Sequence, residues 1–191
     1  MAAGKVLTGF SKPYVALYSA EGTTITYTSG QLLARGVDVA ISPEASEDNI
    51  FYADNVGAEN VSGMLTGGSV DLTIDGLLTA AERLIMGLPA AVDGWTAYDD
   101  DQKVPDVGIG FICRYMSDGV TTYVPIVLAK CRFTQIETEA ATQEDEIDWQ
   151  TQSLSATFTR CDDAKHSWKF VGDDQTTEAA AEAVIKEKFG I

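Results

Sequence analysis

Two stretches of this chain alternate apolar with small polar residues at a period of two, the mark of a strand with one buried and one wet face. In the first, Val70, Leu72 and Ile74 interleave with Ser69, Asp71, Thr73 and Asp75. Just upstream lies Gly67-Gly68, a pair able to take positive φ at both positions of a tight turn. The pattern predicts a β-hairpin centred there, with Thr66 opposite Ser69 and, at its far end, Val61 opposite Ile74. Its back is Val61, Leu65, Val70, Leu72 and Ile74; its front is Ser62, Thr66, Ser69, Asp71, Thr73 and Asp75. In the second stretch, a long strand from Ile147 to Arg160, Leu154, Ala156 and Phe158 interleave with Thr151, Ser153, Ser155, Thr157 and Thr159.

The same patterning places the other elements. Residues 1–12 read as a loose arm, and Tyr14–Tyr18 and Thr24–Tyr27 as short strands about a Glu21-Gly22 turn. Val37, Val39 and Ile41 form the apolar face of a strand that Pro43 ends. Glu44–Asp48 is expected as a polar loop, Asn49–Ala53 as a strand and Asp54–Gly57 as a break. Thr79 and Glu82 have capping-box spacing, and Gly87 then Pro89 stop the helix they open. Its Leu84 and Ile85, with Leu77 before it, are expected to close one end of a sheet. Trp95–Tyr98 reads as a brief strand.

Val107–Met116 turns at Asp118-Gly119 into Thr121–Phe133, a second hairpin that sets Cys113 opposite Val124. Pro125 cannot donate to a ladder and marks an edge or a bulge. Ser167–Val171 is a last strand anchored by Trp168 and Phe170. A terminal helix from about Thr177 to Phe189 carries the stripe Ala181, Val184, Ile185 and Phe189, with a Glu182–Lys186 pair. Strands outnumber helices and tight turns join them. The fold class is therefore mainly β: an antiparallel β-sandwich or partly rolled barrel, with one short internal helix and one C-terminal helix, in a single domain over residues 1–191.

Charge narrows the function. The net charge of −16 opposes nucleic-acid binding, which rests on Lys and Arg neutralising phosphates. No base occurs between Arg35 and Arg83, where nine carboxylates fall, nor from Phe133 to Thr159. The first residues lack the apolar core of a signal peptide, and no run is long enough to span a membrane, so the chain reads as cytosolic when made. Cys113, Cys131 and Cys161 lack paired spacing and read as buried thiols.

Catalytic chemistry finds no foothold. His166, the one histidine, has no nucleophile context, so no enzyme is expected. No cofactor or metal site is expected either. Gly108-Ile109-Gly110 lacks a dinucleotide loop's third glycine and reads as strand glycines making room. The acid runs at Asp99–Asp101, Glu144–Glu146 and Asp173-Asp174 lack calcium-loop spacing.

With these elements in place, the chain resembles the major tail tube proteins of long-tailed, non-contractile bacteriophages. The resemblance is carried by Phe51-Tyr52-Ala53-Asp54-Asn55, Glu59, Gly68 with Val70-Asp71-Leu72, and Leu84-Ile85-Met86-Gly87. It continues through Gly108-Ile109-Gly110-Phe111, Lys130-Cys131-Arg132-Phe133, and Phe158 before Trp168, an ordered series over residues 14–170. It implies a β-sandwich that assembles as hexameric rings, which stack into a hollow tube. DNA passes down the bore without specific binding, a tape-measure protein sets the assembly and a terminator caps it. The place implied is the virion tail, after assembly in the host cytoplasm.

A cation-free front suits such a bore, because Lys or Arg there would grip phosphates. Asp71, Thr73, Asp75, Ser153, Ser155, Thr157 and Thr159 are accordingly expected to face the lumen. Glu44, Glu47, Asp48, Asp54, Asn55 and Glu59 are candidates for contacts between subunits or rings, together with the N-terminal arm. Deleting residues 1–10 is expected to impair stacking more than folding. Two alternatives stand beside this: a tube protein of a secretion or contractile injection system, and a non-viral β-sandwich adhesion or binding module.

Overall fold

The computed structural model describes residues 4–47, 49–53, 56–61, 63–138, 142 and 149–191. It is mainly β. The strands are β1 (Val6–Glu21), β2 (Thr24–Leu32), β3 (Gly36–Ala45), β4 (Asn49–Ala53), β5 (Val56–Val61), β6 (Leu65–Ile74), β7 (Val107–Ser117), β8 (Val120–Phe133), β9 (Gln152–Thr159) and β10 (Lys169–Val171). The helices are α1 (Thr79–Met86) and α2 (Glu178–Phe189). One antiparallel sheet runs in the order β2-β1-β7-β8-β9-β6-β3. The long strand β8 has β7 on one side; on the other, β10 lies along Ile126–Leu128 and β9 along Lys130–Phe133. β4 and β5 form a separate two-stranded ribbon between β3 and β6.

The sheet rolls without closing. Phe10 of β1 lies over Gly36 of β3, where an added Cβ would sit 2.1 Å from the ring. The hollow fills with Val70, Leu72 and Ile74 of β6, Ile109 and Phe111 of β7, and Leu154, Ala156 and Phe158 of β9, all buried. Each large apolar side chain so buried contributes about 1.5–3 kcal/mol. Ile85 and Met86 of α1 are fully buried in the same core, and Leu77 and Leu84 are partly buried against it.

A second cluster lies on the outer face of the sheet. Ala181, Ile185 and Phe189 of α2 pack on Ala16, Ile112 and Val127. The glycines of β7 make this docking possible: a Cβ on Gly110 would sit 2.8 Å from Ile185, and one on Gly108 would sit 3.0 Å from Phe189. Val184, expected in the buried stripe, is instead 37% exposed. The Glu182–Lys186 pair forms at 2.9 Å. A bulge at Ser11–Tyr14 leaves Lys12 at φ 52 and re-aims its side chain toward α2. Glu182 then accepts from Lys12 at 2.5 Å and from the Tyr14 hydroxyl at 2.6 Å.

The second hairpin has the predicted register, with Cys113 opposite Val124. Asp118 and Gly119, at φ 50 and 78, turn it. Pro125 sits where the β8–β10 ladder stops, its carbonyl accepting from Gly172 N–H at 2.9 Å.

Several expectations are corrected. No turn forms at Gly67-Gly68: β6 runs straight through both and pairs with β3 and β9, so Thr66 does not face Ser69. Gly68 is small for another reason, since a Cβ there would meet the Phe158 ring and the Ser42 carbonyl, each at 2.4 Å. The hairpin in this region is β4–β5. Residues 6–12 are not a loose arm; Val6 to Ser11 pair with Met116 to Ile112 of β7. β2 runs on to Leu32, five residues beyond its expected end. Pro43 does not end β3, because β3 is an edge strand and Pro43 needs no outward donor. Val37 is the extra residue of a β3 bulge and stands exposed.

Thr79 and Glu82 form no capping box: the N-cap is Leu78, which has no side-chain oxygen to offer, and the Glu82 carboxylate accepts instead from the Tyr98 hydroxyl. Trp95 makes only a bridge to Val92, not a strand through Tyr98. β9 starts at Gln152, later than the expected Ile147, which lies outside the described residues. β10 begins at Lys169, leaving Ser167 and Trp168 outside the last strand.

Candidate functional site

The outer face of the sheet is divided. The part over β1, β7 and the middle of β8 is apolar and lies under α2. The part over β3, β6 and β9 carries no covering element among the described residues and is polar. Directly opposed residues of antiparallel strands share a face, so the ladders fix its rows. Ser42, Ser69 and Thr157 form one row, Ala40, Asp71 and Ser155 the next, and Asp38, Thr73 and Ser153 a third. Alternation is strict on β9: Ser153, Ser155, Thr157 and Thr159 are exposed while Leu154, Ala156 and Phe158 are buried. All seven residues expected on one polar face thus lie in β6, in β9 or just past Ile74, on the side away from the core. The two alternating stretches are joined by a β6–β9 ladder, not by a turn within the first.

The face is not uniformly acidic. The Ser155 hydroxyl donates to Asp71 Oδ1 at 2.6 Å, tying neighbouring strands. Asp75 accepts from the Arg35 backbone N–H at 3.0 Å and from its guanidinium at 2.5 Å. The guanidinium holds the Asp75 carboxyl below its usual range. Asp38 has no ion pair among the described residues.

At the opposite border the face runs onto β8, where Arg132 stands opposite Thr157 and Lys130 opposite Thr159. Sequence reasoning missed these two cations on the polar face. The signal was present in Lys130-Cys131-Arg132-Phe133, whose alternation puts Cys131 and Phe133 in the core and the bases outside. Arg132 Nη2 lies 2.7 Å from Asp106 Oδ1, and Lys130 Nζ lies 2.9 Å from Asp162 Oδ2. The Tyr18 hydroxyl also donates to Asp162 at 2.7 Å. Partial burial pushes the Tyr18 phenol up to about 12.

Of the residues expected at subunit or ring contacts, Glu44 is in β3, exposed, and Glu47 lies just beyond it, exposed. Glu59 is on β5 opposite Phe51. Asp48, Asp54 and Asn55 lie outside the described residues. The loops proposed for these contacts are therefore largely strand: the end of β3 and the β4–β5 ribbon.

No catalytic constellation assembles among the described residues. The three cysteines are buried and unbridged, and burial pushes the Cys131 thiol up, away from the reactive thiolate. No group of three His, Cys, Asp or Glu is placed to hold a metal ion among the described residues. No helix of the described residues is long and apolar enough to cross a membrane. No protein-family model matches the sequence, and no curated protein is significantly similar to it.

Proposed function

We propose that this chain is a structural tube protein: copies join into hexameric rings, rings stack, and the bare faces of β6 and β9 line a channel for DNA, as in the tail of a long-tailed phage. The observation that carries this is the divided outer face. Half of it is sealed by α2; the other half is a hydroxyl and carboxylate surface that no element of the described chain covers. A solvated wall of this kind neither packs against protein nor grips phosphate.

The edges supply the means of assembly. β2 and β3 end the sheet, each with a ladder on one side only. Such edges invite pairing with another chain, and a head-to-tail contact closes into a ring when its rotation divides a full turn. Pairing β3 of one copy with the β2 edge of the next joins the sheets head to tail around the ring. Glu44 near the end of β3, Glu47 just past it and the β4–β5 ribbon serve contacts between subunits or rings. A tape-measure protein in the bore and a terminator at the end complete the assembly, and the protein's place is the virion tail.

Negative-stain microscopy of the purified chain across a concentration series tests this. Rings or tubes with a central channel are expected. A chain that stays monomeric at every concentration, under conditions where it is folded, refutes it.

A further inference from the structure

Besides Arg35, which Asp75 holds, two cations interrupt the hydroxyl and carboxylate face, Lys130 and Arg132 on β8. A conduit lined with free cations would hold DNA, since each one that neutralises a phosphate releases a counterion and adds affinity. Arg132 is within reach of such a ligand, for its side chain is 59% exposed. Both cations are nonetheless engaged. Arg132 offers Nε and Nη2 to the same Asp106 oxygen, at 2.9 and 2.7 Å. Lys130 is bound by Asp162 at 2.9 Å and lies 3.9 Å from Asp106.

The carboxylates are fixed in place. Asp106 sits at the entry to β7, its backbone carbonyl accepting from Tyr18 N–H at 2.9 Å. Asp162 accepts from the Tyr18 hydroxyl, and its own N–H donates back to that oxygen at 3.0 Å. The ring of Tyr18 also lies under Lys130, 5.1 Å from Nζ. Two carboxylates anchored on loops thus meet two cations anchored on a strand.

We propose that Asp106 and Asp162 mask Lys130 and Arg132, so that the β8 border of the face still lets DNA pass without holding it. The purpose assigned to the mask rests on the conduit proposed above; the mask itself is tested on the soluble chain and needs no tube. Asp106→Asn/Asp162→Asn removes the partners with little change of shape. Its binding to a short fluorescent DNA duplex is followed by anisotropy at low salt, with circular dichroism to establish folding. Wild type is expected not to bind.

The double variant is expected to bind with two freed cations, a log–log salt slope of about −1.8, or about a tenfold loss between roughly 50 and 200 mM salt. Adding Lys130→Gln and Arg132→Gln should abolish that binding. Asp118→Asn/Asp173→Asn, an equal charge change away from the face, should not create it. The single Asp106→Asn, which frees Arg132 alone, should show about half the slope and serves if the double variant does not fold. The mask is refuted if the folded variants bind no better than wild type, if binding survives loss of both cations, or if wild type binds equally well. Absence of rings by microscopy bears on the conduit instead, so the two failures are separable.

Discussion

Substituting Glu182 by Gln tests how α2 is held over its half of the sheet. The Glu182 carboxylate accepts from Lys12, Tyr14 and Lys186, and these bonds lower it from 4.5 to about 2. A difference of that size corresponds to about 3 kcal/mol by linkage. The Glu182 side chain is only 14% exposed, but Lys12 and Lys186 are 40% and 42% exposed, so solvent screening reduces the gain. A net contribution of about 1–2 kcal/mol is expected. The folded-state value is depressed, so the contribution is fully present above the unfolded value of 4.5 and is lost as pH falls toward about 2. Urea unfolding of wild type and Glu182→Gln should differ by about 1–2 kcal/mol at neutral pH, and by less than about half of that near pH 3. A gap that is the same at both pH values, or no gap at neutral pH, refutes the assignment of a charged clamp between β1 and α2.

Three further outcomes follow from the same contacts. Gly110→Val places atoms 2.8 Å from Ile185 and 3.0 Å from Phe189 or closer; thermal unfolding should show a loss of about 1–3 kcal/mol, and proteolysis should reach α2 first. Deleting residues 1–10 removes ladder partners of Met116, Tyr115, Arg114 and Cys113, so the truncated chain should show impaired folding by circular dichroism, in contrast to what a loose arm would give; a normally folded truncation counts against the β1–β7 pairing. Asp71→Lys puts a free cation at the centre of the bare face and should leave tubes intact while slowing DNA ejection, whereas Asp75→Lys also strips Arg35 of its partner; unchanged infectivity of particles carrying both argues against a lumenal position.

The sequence made legible what local alternation decides. Strand β9 was readable residue by residue because Leu154, Ala156 and Phe158 go into the core and their neighbours do not. The β7–β8 hairpin was readable because Asp118-Gly119 is a local turn with positive φ at both positions. Gly67-Gly68 misled for a non-local reason: those glycines answer to Phe158 and Ser42, far along the chain or on another strand. The same limit hid Val6–Ser11, whose place in β1 depends on β7 across a long sequence separation. In the candidate site, the seven residues of the polar face were legible from parity alone. Their joining through a β6–β9 ladder, and the arrival of Lys130 and Arg132 beside them, were not, because both depend on strand order.

The most direct test of the divided face is a cryo-electron microscopy reconstruction of the assembled protein. Rings are expected in which β3 edges pair with neighbours, Asp71 and Ser155 border the channel, and α2 lies outside it. A reconstruction with α2 toward the channel, or with Asp71 and Ser155 buried between subunits, contradicts it.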